Sequence, residues 1–230
     1  MLWATNDSLD KMPESTASVW TSRSAAKVEF FILVLGVLAI MWVAPFTPQR
    51  RLTARVIMGF LIALLVFGAW RERPGLRALG FRLDNFFPVL GRLMVYVGGL
   101  VVVLVSIGLM ADSLRLGPRF WSIFLGVPLW ALLQQYLLLG FAHRRLRMIM
   151  GSGRAAVLAT TAVFGVMHLP NPTLTLVCAL GGLVWAREYD RSPNLFAHAI
   201  SHGVGSAFLA NSLPPELLKN MVVGYRYLLT

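Results

Sequence analysis

The side chains best suited to chemistry fall in the second half of the sequence, within stretches that are otherwise apolar. Histidine exchanges protons near neutral pH, because its unperturbed pKa is about 6.5, and side-chain amides and hydroxyls form hydrogen bonds. Polar groups are costly to bury without partners, so we expect these side chains to meet around one cavity. They are Gln134, Gln135, His168, Asn171, His198, His202 and Ser206.

Two of the histidines have a spacing that suits a metal ion. His198 and His202 are four positions apart, so a helix places both imidazoles on one face. With His168 as a third ligand, they would form a divalent metal site with one open position. The alternative is that the histidines hydrogen-bond to backbone carbonyl groups, hydroxyl groups or the glutamines. The spacing leaves both interpretations open, and no other cofactor is expected.

The elements that position these groups are predicted to be membrane-spanning helices. Hydrophobic residues make up 57% of the 230 positions and charged residues 13%, against about 45–50% and about 25% in a soluble domain. Helices are favoured because an open strand in lipid would leave its backbone groups unpaired. Uncharged runs approach or exceed the roughly 20 residues needed to cross hydrocarbon at 30–47, 56–70, 93–111 and 120–142. Shorter or more polar runs predict three further spans, at 155–168, 172–186 and 193–212.

The predicted fold is therefore an all-α, polytopic transmembrane bundle of about seven spans. Residues 1–28 form a polar cytoplasmic tail in this prediction, and residues 29–230 a single transmembrane domain. The segment 214–230 is either an interfacial helix or an eighth span. The segment 71–92 mixes Arg with apolar residues, which fits a helix along the headgroups or a plain loop. Tryptophans near span ends predict interface anchors, namely Trp42, Trp70, Trp121 and Trp185.

The formal charge of +11 is explained by membrane orientation, because the basic residues fall in short connections between spans. Of the Lys and Arg residues, 14 lie on one predicted side and 7 on the other. The richer side is cytoplasmic by the positive-inside rule. We predict an integral protein of a bacterial inner membrane with a cytoplasmic N-terminus, in contact with the lipid bilayer and without a nucleic-acid partner.

Three segments follow one another in an order typical of a known family. The first is WALLQQYLLLGFAHRRL, the second is Phe164-Gly-Val-Met-His168, and the third is SPNLFAHAISHGVGS, which contains His202 and Ser206. Together they resemble the motifs of the CAAX-processing and bacteriocin-processing (CPBP, or Abi) intramembrane proteases. The resemblance covers roughly residues 75–210, so it implies a CPBP-like transmembrane core within the helical bundle.

The first motif departs from the family in its chemistry. Where the family has Glu-Glu-x-x-x-Arg, this chain has Gln134, Gln135 and Leu139. The resemblance implies a mechanism in which a glutamate activates water for attack on a peptide carbonyl and histidines assist. An amide does not accept a proton near neutral pH, so glutamine cannot be that base. The remaining candidates for the base are the three histidines.

Three functions follow as alternatives. The first is an intramembrane endopeptidase with a degenerate active site, acting on membrane-bound or prenylated peptides. The second is a non-catalytic protein of the same fold that binds a lipid, an isoprenoid or a partner's transmembrane helix. The third is a histidine-based metal enzyme acting on a lipid or pigment. The predicted catalytic residues are His168, His202, Gln134, Gln135 and His198. The predicted substrate contacts are Phe164, Asn171 and Ser206.

Overall fold

The computed structural model describes residues 23–230, and within this range the chain forms helices and no strand. The predicted all-α fold is thus confirmed. The helices are α1 (Arg23–Trp42), α2 (Arg50–Glu72), α3 (Phe86–Met110), α4 (Pro118–Gln135), α5 (Arg144–Met150), α6 (Gly153–Val166), α7 (Pro172–Arg191), α8 (Leu195–Ser212) and α9 (Pro215–Leu218). Of the predicted tail, residues 1–22 lie outside the described residues, and residues 23–28 belong to the first turns of α1.

Within residues 23–230, four helical stretches are long and apolar enough to cross a membrane. They are 23–46, 50–72, 86–110 and 118–150, and they contain the four uncharged runs of the sequence to within one residue. Apolar side chains on their outer faces are exposed, such as Phe87 at 79% and Leu129 at 78%, as expected for contact with lipid. The protein is therefore an integral membrane protein. That α6, α7 and α8 also cross the bilayer stays a prediction.

Helix α8 occupies the interior of the bundle, since twelve of its 18 residues are buried. Helix α6 packs on α7, and α8 packs on both α3 and α4. The α4–α8 crossing is close at Gly203, where an added Cβ would lie 2.7 Å from the ring of Pro128. Asparagine caps begin both α7 and α8, because Asn171 and Asn194 accept hydrogen bonds from backbone N–H groups of the first turn. Of the three helices predicted as shielded spans, α8 is the most buried, whereas α6 and α7 keep exposed apolar side chains such as Leu158 and Leu176.

A π-helical segment, Tyr136–His143, joins α4 to α5 in one continuous rod. The segment contains Leu139, which is fully buried at the position where the family motif has arginine. Such widened turns occur mainly as single insertions in α-helices and often lie at functional sites. Here the widened turns directly follow Gln135, the last residue of α4.

The segment 214–230 does not form an eighth span. It consists of the four-residue helix α9 and two 3-10 turns, Lys219–Met221 and Gly224–Leu229. Lys219, Asn220 and Met221 all have positive φ values, between 47° and 58°, and such left-handed residues end a right-handed helix. Of the two alternatives left open for this segment, the eighth span is therefore excluded.

The segment 71–92 contains a loop rather than a helix along the headgroups. Helix α2 ends at Glu72, and residues 73–85 form turns before α3 begins. The loop is fixed to the start of α8, because the Leu195 N–H donates to the Gly80 carbonyl oxygen at 2.8 Å. Gly80 has a φ of 87° and an added Cβ would lie 3.1 Å from the Leu195 nitrogen, which favours glycine at this position.

A buried ion cluster joins the first two helices to α5. The Arg145 guanidinium is 2.8 Å from a Glu29 carboxylate oxygen and 2.7 Å from a Glu72 carboxylate oxygen. Arg71 forms a further ion pair with Glu29, and the Arg145 guanidinium lies 4.0 Å from the centre of the Phe141 ring. Buried charges are tolerated when paired in this way. The cluster attaches the α1–α2 hairpin to the rod that carries the glutamines.

Candidate functional site

A cavity of about 1130 Å³ lies between α3, α4, α7 and α8. Most of its wall is apolar, with side chains such as Val97, Val127 and Val177. It extends along α8 from His202 to Asn211, a length of roughly 14 Å at 1.5 Å per residue. The loop between α3 and α4 and the segment after α8 line the end near Asn211. The cavity therefore runs within the bundle, parallel to its helices.

His202 contributes a firmly held imidazole to this cavity. Its ring stacks on the Trp185 indole, with centroids 4.6 Å apart and planes inclined by 29°. Its Nδ1 lies 3.2 Å from the amide nitrogen of Gln135, whose side chain is buried. The ring of Phe164 meets the imidazole edge-on at 6.0 Å. These three neighbours fix both the plane and the rotation of the His202 ring.

His168 lines the same cavity from the turn that follows α6. Its Nδ1 lies 2.7 Å from the Phe164 carbonyl oxygen, so Nδ1 carries the hydrogen and donates it. In the neutral ring, Nε2 then keeps a lone pair. The Phe164 ring contacts the His168 ring at 4.8 Å as well as the His202 ring. One aromatic side chain thus separates and supports the two imidazoles.

The remaining predicted residues divide between the cavity wall and the layer behind it. Gln134 and Ser206 line the cavity with the two imidazoles. Gln135 lies behind His202, and Phe164 is buried behind both histidines. The two adjacent glutamines therefore have different positions, as expected for neighbours on a helix, which point about 100° apart.

Residues 115–208 match the family model described as type II CAAX prenyl endopeptidase Rce1-like. Over these residues, fewer than half of the chain, the protein is similar to the CAAX-protease family. The matched range begins in the loop before α4 and ends within α8, so it includes both glutamines and both cavity histidines. No curated protein and no solved structure matches the chain.

His198 lies outside this cavity and does not form a metal site with the other histidines. Its Nδ1 is 2.7 Å from the Asn194 carbonyl oxygen, and its Nε2 is 3.1 Å from the Trp185 carbonyl oxygen. Neither nitrogen is directed to an ion shared with His168 and His202. In residues 23–230, no group of three or more His, Cys, Asp or Glu side chains is placed to hold a metal ion. The geometry favours the alternative of hydrogen bonds to backbone carbonyls.

Asn171, which the sequence predicts as a substrate contact, also lies elsewhere. Its side-chain oxygen accepts from the Leu174 N–H at 3.1 Å and caps α7. Its side-chain nitrogen donates to the carbonyl oxygens of Leu218 and Val222, at 2.9 and 3.2 Å. These two acceptors flank the left-handed residues 219–221. Asn171 thus holds the C-terminal segment against the end of the cavity.

Trp185 is the main residue of the site that the sequence did not reveal. Predicted as an interface anchor, it is instead buried in the core, where its Nε1–H donates to the Ser201 hydroxyl at 3.1 Å. Its indole forms the platform for His202 in the cavity. The available signal was Gly181, one turn earlier in α7, where an added Cβ would lie 3.0 Å from the indole.

We expect both Asn171→Asp and Asn171→Ala to release the C-terminal segment. Only Asn171→Ala should also lower the stability of the whole protein. Asp keeps the acceptor that caps α7 but loses both donated hydrogen bonds, whereas Ala loses all three. Each variant should increase hydrogen–deuterium exchange in peptides from 214–230. Ala should further lower the free energy of unfolding by about 1–3 kcal/mol. Glu216→Ala, an exposed change in the same segment, is the control. Unchanged exchange in both Asn171 variants would contradict this role.

Proposed function

We propose that this protein is an intramembrane endopeptidase that cuts membrane-bound or prenylated peptides with histidine in place of the family's glutamate base. The observation that carries the proposal is the placement of His168 and His202 on one cavity of a CAAX-protease core. The apolar wall suits a prenyl chain or an apolar peptide segment, and the volume exceeds that of an ordinary small-molecule site.

His168 is the base in this proposal. Its Nδ1–H is engaged by the Phe164 carbonyl oxygen, which leaves the Nε2 lone pair to accept a proton from water. The water oxygen then bonds to the peptide carbonyl carbon, and the carbonyl π electrons move to the oxygen. His198 is not used, because both of its ring nitrogens lie against backbone carbonyl oxygens inside the protein.

The oxyanion formed by this attack needs hydrogen-bond donors. Gln134 lines the cavity and its amide nitrogen is a donor. An amide cannot act as the base, but it can donate a hydrogen bond to the oxyanion and stays neutral when it does so. When the intermediate collapses, the carbon–nitrogen bond breaks and the leaving amine takes the proton held by His168. The products are a carboxylic acid and an amine.

We expect His168→Ala to lower kcat by about 10²-fold or more, the usual contribution of a general base. The measurement uses the purified protein in liposomes with an internally quenched, farnesylated peptide that ends in a CAAX sequence. Cys178→Ala, on the same cavity wall, should keep the natural rate and would at the same time exclude a thiol nucleophile. Unchanged cleavage by folded His168→Ala would overturn the assignment of the base.

A second candidate function is ligand binding without catalysis, and the replacement of two glutamates by Gln134 and Gln135 favours it. In that case the cavity would hold a lipid, an isoprenoid or a partner's transmembrane helix. The double variant Gln134→Glu/Gln135→Glu distinguishes the two functions. It is assayed with and without Leu139→Arg, because a charge at the fully buried position 139 endangers folding. Cleavage by a restored form alone supports the binding function, and cleavage by the natural protein supports the protease.

A further inference from the structure

We infer that Gln135 is a positioning residue that fixes the imidazole of His202 as the tautomer with its hydrogen on Nε2. The inference deepens the proposed function and rests on it for its catalytic meaning, although the tautomer itself is measured without any substrate. The structural basis is one buried contact, the 3.2 Å approach of the Gln135 amide nitrogen to His202 Nδ1.

The contact determines which ring nitrogen carries the hydrogen. A side-chain amide nitrogen has two hydrogens and no lone pair available to accept one, so Nδ1 must be the acceptor. A neutral imidazole has a single N–H group, which therefore lies on Nε2. Protonation of Nδ1 would set two donors against each other at this distance. The amide thus also opposes formation of the imidazolium ion.

The surroundings of Gln135 support this orientation of its amide. Within residues 23–230, its side-chain oxygen has no hydrogen-bond partner. If the amide were turned over, the oxygen would accept from Nδ1–H and the NH2 group would be the one left without a partner. Buried N–H groups without partners are rarer in proteins than buried carbonyl oxygens with unused acceptor capacity. In the observed orientation the unpaired group is the side-chain oxygen, which costs less to bury than an unpaired NH2 group.

Other contacts hold the His202 ring in place without selecting a tautomer. Trp185 stacks on the face of the ring, and Phe164 touches its edge through apolar atoms. Neither offers a hydrogen-bond partner to Nδ1. His168 lines the same cavity but engages the Phe164 carbonyl oxygen through its own Nδ1. Gln135 is therefore the group that determines the hydrogen position on His202.

The tautomer gives the two cavity histidines complementary roles. His168 has a lone pair on Nε2, and His202 has a hydrogen on Nε2, so one accepts and the other donates. A carboxylate at position 135 would accept from Nδ1–H and leave His202 with a lone pair on Nε2 instead. The glutamine therefore reverses the hydrogen-bonding character of His202, in addition to removing a base.

The test is solid-state NMR of the protein with 15N-labelled histidine in lipid bilayers, where ring-nitrogen shifts report the tautomer of each imidazole. The His202 signals are assigned from their loss in His202→Gln. We expect Nε2–H in the natural protein, Nδ1–H in Gln135→Glu and both tautomers in Gln135→Met. Gln134→Met, at the adjacent amide, should leave the His202 tautomer unchanged.

An Nδ1–H signal for His202 in the natural protein would overturn the inference, and this result needs no variant to fold. Persistence of a single Nε2–H tautomer in folded Gln135→Met would overturn it as well, because the amide would then not be the cause. The inference and the proposed function fail separately. Nε2–H without peptide cleavage contradicts only the proposed function, whereas cleavage with Nδ1–H contradicts only the role of Gln135.

Discussion

The contact between Gln135 and His202 joins the two helices that form the deep part of the cavity. Polar groups in the apolar interior of the bundle are costly to bury alone, so each must find its partner within the protein. Helix α8 meets this constraint with His198 bonded to the Asn194 carbonyl oxygen, Ser201 bonded to Trp185, and His202 bonded to Gln135. These hydrogen bonds hold α8 between its neighbouring helices. The cavity lies where that packing leaves space beside His202.

The same constraint explains how the outer parts of the chain are attached. Helices α1 and α2 precede the matched family range, and their Glu29, Arg71 and Glu72 meet Arg145 in the buried ion cluster. At the other end of the cavity, Asn171 fixes the C-terminal segment through two backbone carbonyl oxygens. Both attachments use a polar side chain of the matched range, Arg145 and Asn171. The matched range is thus held in place by elements that lie outside it.

Hydropathy was sufficient to predict the four long helices, because burial of apolar side chains in lipid depends on composition and length alone. A second prediction, that the polar side chains of the apolar second half meet around one cavity, agrees with the lining for Gln134, His168, His202 and Ser206. It failed for His198, whose partners are backbone carbonyl groups that no side-chain spacing reveals. The sequence also did not predict the role of Asn171. That role depends on the conformation of residues 218–222, which includes left-handed backbone conformations. These errors concern hydrogen bonds between segments distant in sequence.

Hydrolysis within a membrane protein requires that water reach the imidazoles, so cavity hydration is the central requirement of this account. Ser206 lines the cavity one turn beyond His202, and Leu125 is 72% exposed on the outer face of α4. The most direct measurement is the rate at which a membrane-impermeant, water-soluble thiol reagent modifies Ser206→Cys and Leu125→Cys, each in a Cys178→Ala background in liposomes. A hydrated cavity predicts rapid modification of Ser206→Cys and little of Leu125→Cys. Equal protection of both cysteines, with the reagent present on both sides of the membrane, would contradict the account.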